Sequence, residues 1–415
     1  MKRLLPSLLL CLALLLSACG GVPAGASASV PPPQEASLSP EPPAVLEEPA
    51  VLEEPAVPEE PLSPKPTVAS LAVCGDAMSH MPITNDAWNG ERYDYTRIMA
   101  AARPYVGAAD YAVVNLETTL SGGPPYSGYP AFNSPDDLAY DLKALGFDLC
   151  LTANNHSLDR GFSGLSRTLD VLDEAGLAHV GTSRTQEERD HNIAVADVGG
   201  ISVAFLGYTY GTNGIPIPQK HPYAINVFNT DYLTTLSKPD WDRLAADLET
   251  ARAMETDLIA VMIHWGLEYQ LTQNRHQEDL ADFLFAHGAD IVLGGHSHVP
   301  QPMELRTLPD GRQGFVCYSL GNFISSQTKP NTDTTAVLTL TLARDNETGE
   351  AQVTDYTYAP MYMLHRAEGT SPRFELVDIQ AALGSDETGD ALRQKLDKAL
   401  ETCHSVFGEE RTGKE

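Results

Sequence analysis

Beyond position 67 the apolar residues gather into short continuous runs: Val68 to Cys74, Tyr111 to Val114, Leu149 to Thr152, Leu258 to Ile263 and Ile291 to Leu293. Runs of this length, rich in β-branched and aliphatic side chains, read as strands buried on both faces. Helical signals alternate with them. Ser134-Pro135-Asp136-Asp137 offers an N-cap, a proline at the first helical position and an acidic first turn, predicting a helix to about Leu145 that Gly146 ends. Further helices are predicted over Ser163 to Ala175, Trp241 to Met254 and Arg275 to His287. The later runs Ile201 to Tyr208, Gly314 to Leu320 and Thr335 to Leu342 have fewer helices between them and read as a second group of strands. The pattern predicts an α/β domain over residues 68–370, with two sheets packed face to face and covered by helices. Residues 371–415 read as a C-terminal helical appendage and a charged tail.

The chain before this domain has a different character. Lys2 and Arg3 precede a largely apolar run from Leu4 to Leu16, too short to span a bilayer and of the length of a secretory h-region, so 1–19 reads as a signal peptide. The run closes on Leu16-Ser17-Ala18-Cys19-Gly20, which resembles the lipobox of bacterial lipoproteins and predicts lipidation of Cys19. The expected location is the extracytoplasmic face of the bacterial cell membrane, with the membrane bound through lipid. Residues 20–67 are rich in Pro, Ala, Ser and Glu and repeat Glu-Glu-Pro from Glu47, Glu53 and Glu59. Such a segment buries no core and reads as a disordered tether that reaches up to roughly 150 Å as polyproline II.

Net charge is -29, and the tether contributes only eight Glu against one Lys to it, so the globular part is itself strongly acidic. That excludes nucleic acid as a partner and means that an anionic substrate must be captured locally, by bound cations. Of six cysteines, Cys74, Cys150, Cys317 and Cys403 remain in the domain and its appendage, too few for a disulfide framework, and are read as buried free thiols.

The candidate chemistry sits where the apolar runs end. Gly75-Asp76, Asn115-Leu116-Glu117, Asn154-Asn155-His156, His264-Trp265-Gly266 and Gly295-His296-Ser297-His298 each place a metal-binding or proton-transferring group just past a strand, where open α/β sheets form their active sites. His296 and His298, one residue apart, project from the same side of an extended segment, with Gly294 and Gly295 allowing a tight turn beside them. Alone they would be solvated loop histidines; joined by His264 they read as metal ligands. Asp76 and Glu117 supply hard oxygen ligands or, in the blander reading, cap turns. Asn155 offers a carbonyl ligand, while His156 is free to donate a proton with Asp159 orienting it, or is a structural loop histidine bonded to Asp159.

The ordered set Gly75-Asp76-Ala77-Met78-Ser79-His80, Asn115-Leu116-Glu117, Asn154-Asn155-His156-Ser157-Leu158-Asp159-Arg160-Gly161, His264-Trp265-Gly266-Leu267-Glu268-Tyr269, Gly295-His296-Ser297-His298-Val299-Pro300-Gln301 and Ser319-Leu320-Gly321-Asn322-Phe323 resembles the CapA family of bacterial capsule and poly-γ-glutamate synthesis proteins. That family is similar in turn to the calcineurin-like metallophosphoesterases, which implies a four-layer αββα sandwich and one or two divalent cations (Mn, Zn or Fe). The resemblance implies Asp76, Asn155, His264, His296 and His298 as ligands, Glu117 as the bridging carboxylate and His156 as general acid. Two departures stand out: Met78 occupies the position where phosphoesterases carry a histidine, with His80 two residues on as a substitute, and Glu117 replaces the usual aspartate. Glu268, Tyr269, Gln301 and Asn322 accompany the motifs as candidate metal or pocket residues.

Two functions follow from the resemblance. One is a metal-dependent hydrolase of phosphoester-like bonds; the other is a non-catalytic accessory factor that binds the anionic capsule polymer or its carrier during assembly or export. Membrane capsule-synthesis proteins are the partners it implies. A solute-binding lipoprotein fits the anchor and tether but not the histidines, and no Gly-x-Ser-x-Gly elbow or phosphate-binding glycine loop offers other chemistry.

Overall fold

The computed structural model describes residues 65–409. The leader, the Cys19 lipid site and all but the end of the tether lie outside the described residues. The strands are β1 (Thr67–Ala77), β2 (Tyr111–Leu116), β3 (Leu149–Leu151), β4 (Ala178–Val180), β5 (Ala194–Val198), β6 (Ile201–Thr209), β7 (Leu258–His264), β8 (Ile291–Gly295), β9 (Pro300–Thr307), β10 (Gln313–Leu320), β11 (Asn322–Ile324), β12 (Thr334–Arg344), β13 (Ala351–His365) and β14 (Phe374–Asp378). The helices are α1 (Met81–Ala87), α2 (Arg103–Val106), α3 (Asp137–Leu145), α4 (Gly161–Ala175), α5 (Gln186–Asp190), α6 (Trp241–Arg252), α7 (Arg275–Ala286), α8 (Ile379–Leu383) and α9 (Asp390–Phe407).

An eight-stranded sheet runs β14-β13-β12-β1-β2-β3-β4, with β11 also paired to β1, and a six-stranded sheet runs β5-β6-β7-β8-β10-β9. Alternation along β6 and β7 shows how the layers form. Val203, Phe205, Leu258, Ala260 and Met262 join a core that includes Leu71, Val73, Val113 and Leu340 of the larger sheet. Their neighbours Ala204, Leu206, Ile259, Val261 and Ile263 turn the other way, onto Leu244 and Leu248 of α6 and Leu280 and Leu284 of α7. Every residue of β7 is buried, and each fully buried Leu or Ile contributes about 1.5–3 kcal/mol, so an unbroken apolar run is what such a strand requires. With α3 and α4 packed into the core of the larger sheet, the architecture is the expected α/β sandwich of two sheets between helices.

Three expectations need correction. Thr335 to Leu342 does not group with Ile201 to Tyr208 and Gly314 to Leu320: as β12 it pairs antiparallel with β1 in the larger sheet, while the other two runs are strands of the smaller sheet. Strand partners are chosen by tertiary packing, which hydrophobic runs alone do not encode. The segment beyond 370 is not a mere appendage, because β14 pairs with β13 and Cys403 and Phe407 of α9 enter the main core. Finally, α3 begins at Asp137 without a side-chain cap; Ser134 bonds Thr118 instead (2.7 Å). The four cysteines described are buried and outside any disulfide, as expected.

Candidate metal centre

The larger sheet delivers Asp76, Glu117 and Asn155 at the carboxyl ends of β1, β2 and β3, and the smaller sheet delivers His264 from β7 and His296 and His298 just after β8. Asp76 sits at a bulge where β1 shifts register against both β2 and β11. Its backbone N–H donates to the Gly321 carbonyl at 3.0 Å. A Cβ on Gly75 would come within 1.9 Å of that same oxygen, so only glycine lets the two segments approach. Gly295 is required for a second approach: its Cβ would stand 2.6 Å from Asp76 Oδ1.

The two histidines after β8 do not converge by strand alternation. His296 (φ 94°) and His298 (φ 60°) both have left-handed backbones, which curl the chain so that their rings come 5.9 Å apart at an interplanar angle of 59°. Positive φ in two side-chain-bearing residues costs energy that the surrounding contacts must offset, and such strain concentrates at functional sites. Asp76 supplies one of those contacts, its Oδ2 accepting from the His296 backbone N–H at 3.0 Å.

Two groupings of donor atoms result, each within a 4.8 Å span: Glu117 with His264 and His296, and Asp76 with Glu117 and His298. Glu117 belongs to both. His264 lies with Nε2 3.0 Å from Asn155 Oδ1 and 3.6 Å from Glu117 Oε1. Asn115 donates its amide to Asp76 Oδ1 at 2.7 Å and lies 3.2 Å from His264 Nδ1, tying the two sheets together. His298 Nδ1 faces Asn322 Oδ1 at 3.1 Å and stands 3.6 Å from Asp76 Oδ2.

The electrostatics fit metal ions. Glu117 is fully buried, yet both carboxylate oxygens lack a hydrogen-bond partner, as does His296 Nδ1. Burial and the negative charges of Asp76 and Glu268 push the Glu117 carboxyl well above its ordinary range. Burial first, and then neighbouring histidines, hold His264 and His296 well below theirs, so both stay neutral and able to donate a lone pair. An unpaired buried carboxylate costs several kcal/mol. A divalent cation among these donors removes that cost, and carboxylate with imidazole is a donor set suited to Mn²⁺, Zn²⁺ or Fe²⁺.

Beside the donors, His156 Nδ1 lies 2.7 Å from Asp159 Oδ2. That carboxylate is held in turn by the Phe132 backbone N–H at 2.7 Å, and the His156 ring meets Phe132 edge-on at 4.7 Å. Asn154 anchors the loop, donating to the Leu116 carbonyl at 2.8 Å and accepting from the His156 backbone at 3.1 Å.

Of the accompanying residues, Asn322 and Glu268 stand at the site, Glu268 lining a cavity of about 640 Å³ that reaches Tyr210 and His296. The Tyr269 ring lies tilted beside His298, ring centroids 5.9 Å apart. Gln301 is corrected to a structural role, because it accepts from Gln277 at 2.8 Å and donates to the Gln270 and Thr272 carbonyls, bracing the loop before α7. Met78 is buried. His80 stands in neither donor grouping; its Nδ1 is 3.5 Å from Ser325 Oγ, and burial followed by the charges of His298 and His156 lowers its pKa to about 4. Sequence reasoning missed Tyr210, whose ring lies 4.5 Å from His296, and Asn213, which accepts from Asn155 Nδ2 at 3.1 Å. The signal was available, since Tyr210 follows the apolar run of β6 as the other site residues follow theirs.

Residues 70–327 match the model of the family described as "Bacterial capsule synthesis protein PGA_cap". The chain belongs to this family. Its similar proteins include the "Capsule biosynthesis protein CapA" of Bacillus anthracis, 30% identical over 263 residues (62% of this chain and 60% of that protein). A second is the "PGA biosynthesis protein CapA" of Bacillus subtilis, 26% identical over 62% of this chain and 64% of that protein. The matched region thus spans less than two thirds of these relatives' own lengths. A "Probable polyglutamine synthesis accessory protein" of Mycobacterium tuberculosis is 27% identical over 48% of this chain and 52% of its own. Among solved structures, one titled as a novel phosphatase of Mycoplasma pneumoniae aligns over 72% of this chain and 95% of its own at 13% identity, with a TM-score of 0.42.

Proposed function

We propose that this PGA_cap protein is a surface lipoprotein of capsule or poly-γ-glutamate metabolism whose centre is a two-cation hydrolase site of the phosphoester-cleaving type. The observation that carries the reading is Glu117, a buried carboxylate with no hydrogen-bond partner that is shared by two His–carboxylate groupings. Asp76, Asn155, His264, His296 and His298 complete the proposed ligand set. When bound, the cations supply Lewis acidity and a water of lowered pKa. The chain's own residues do the rest. Asp159 fixes the His156 ring by accepting at Nδ1, which presents the opposite nitrogen for proton transfer to a leaving group. Tyr210 and Glu268 border the cavity where the substrate's neighbouring part rests.

A second reading, an accessory factor that binds the anionic polymer or its carrier without turnover, is favoured by the name of the mycobacterial relative. Metal analysis of the purified domain, coupled to turnover assays on bis-p-nitrophenyl phosphate and poly-γ-glutamate, separates the two. Metal with turnover supports the hydrolase, metal with polymer binding alone supports the accessory factor, and well-folded protein that takes up no Mn²⁺, Zn²⁺ or Fe²⁺ eliminates both. The anchor at Cys19 and the extracytoplasmic location rest on the sequence features of the leader.

A further inference from the structure

In so acidic a protein, unpaired cationic side chains that converge on one place call for an explanation. Lys329, Lys395 and Lys398 line a pocket of about 380 Å³ between α9 and the loop over residues 325–333. All three are exposed, and none has an ion-pair partner among the described residues, whereas Lys143 is held by Asp148 at 3.0 Å. Lys395 and Lys398 stand one turn apart on α9, flanking Leu396 and Ala399, which are anchored against Tyr362 and Leu364 of β13. Like charges at this spacing repel. The pocket lining contains three lysines and one carboxylate, Asp333.

The loop that carries Lys329 is rooted in the candidate metal centre. Asn322, whose Oδ1 faces His298 Nδ1, donates through Nδ2 to Gln327 Oε1 at 3.1 Å and to the Thr332 carbonyl at 3.0 Å. The Lys329 ammonium lies 3.6 Å from the centre of the Tyr269 ring, and that ring lies 5.9 Å from His298. One aromatic side chain therefore separates the ligand histidine from the first lysine. A chain that occupied both the donor cluster and this pocket would have to pass Tyr269.

We propose that Lys329, Lys395 and Lys398 form a subsite for a carboxylate-bearing stretch of a polyanionic chain whose adjoining segment occupies the metal centre. The inference rests on the reading of that centre as the place where an anionic substrate is held. Elsewhere the protein's charge repels such a chain; here three ammonium groups neutralise successive carboxylates, a contact that weakens with salt.

The test is fluorescence anisotropy of a labelled γ-linked glutamate decamer on Mn²⁺-loaded protein at 50 and 200 mM salt, for the parent, K395E/K398E, K395A/K398A and H296A. Both lysine variants alter exposed positions, and unchanged metal content and thermal unfolding verify their folding. The expected result is at least tenfold weaker binding with a flatter salt dependence in K395E/K398E, and a smaller effect of the same sign in K395A/K398A. Parent-like affinity and salt dependence in both variants overturn the subsite, even where H296A abolishes binding; that pattern leaves the metal-centre reading standing. Loss on lysine reversal together with full binding by H296A supports the subsite and overturns the metal-centre reading. A parent that fails to bind the decamer, or releases it to an equal concentration of inorganic phosphate, also overturns the subsite.

Discussion

His264 Nε2 stands 3.6 Å from Glu117 Oε1, both side chains are sealed from solvent, and each comes from a different sheet. In another setting this would be an ion pair. Here burial, and then His296 and His298, oppose protonation of His264, and the carboxylate has no donor to satisfy it. Glu117→Gln is therefore expected to leave the chelated protein at least as stable as the parent, while removing most of the stabilisation that Mn²⁺ confers. At a free cation concentration of 100 Kd that gain is about 2.7 kcal/mol per site. Thermal unfolding with EDTA and with Mn²⁺ reads both effects; an equal Mn²⁺ gain in parent and variant removes Glu117 from the ligand set.

The buried histidines set a pH dependence. Burial, and then the neighbouring histidines, hold the pKa values of His264 and His296 well below the ordinary 6.5 in the folded chain. Below about that pH the unfolded chain takes up protons that the native one refuses, so the native state loses stability on acidification, by up to about 1.4 kcal/mol per pH unit for each group. Glu117 acts oppositely, its raised pKa favouring the native state where the carboxyl is protonated. Denaturant unfolding of chelated protein between pH 7 and 5 is expected to show a steeper acid loss for the parent than for H264A/H296A. Parallel curves count against neutral buried imidazoles.

The hydrolase reading separates proton transfer from metal binding. If the centre hydrolyses phosphoesters, His156→Ala is expected to keep the metal content and to lower hydrolysis by about 10²- to 10⁴-fold, and Asp159→Asn to lower it by less. Metal content and rate are read on the same preparations. Loss of metal in His156→Ala would place that histidine among the ligands instead.

A chain ended at residue 370 loses Phe374, Leu376, Cys403 and Phe407 from the core. At about 1.5–3 kcal/mol for each fully buried large side chain, the loss is comparable to the whole stability of a typical domain, about 5–15 kcal/mol. Limited proteolysis of the full chain should accordingly leave a stable fragment that retains α9. A stable fragment ending near 370 would contradict this.

If the protein is a lipoprotein, Cys19→Ser removes the sulfur through which lipid would attach. The expected outcome is release to the medium or an uncleaved precursor, read by membrane fractionation. Normally processed protein that remains membrane-bound rules out the lipid anchor.

Much of the site's layout was legible because strand ends are a local property: an apolar run that gives way to a carboxylate, amide or imidazole within a few residues marks each of them. Boundaries of β6, β7, β10, α6 and α7 fell within a few residues of the pattern for the same reason. What escaped depended on contacts distant in sequence. The pairing of β12 with β1, the diversion of Gln301 to the Gln277 amide and the left-handed turn at His296 and His298 all follow from neighbours that arrive only when the chain is folded. Tyr210 was overlooked for a different reason: an aromatic is seldom a metal ligand, so a strand end that carries one attracts no notice.

The passage from β10 to β11 takes the chain from one sheet to the other with Gly321 as the single intervening residue. Three residues reach at most about 10 Å, so this covalent strap lies across the seam where ligands from the two layers meet. A scaffold strapped at that point has no hinge there, and domain closure is not available to it as a means of gripping a substrate. What surrounds the site outside that strap is its rim: the segment over 210–237, the turn at 266–274 and the 325–333 loop.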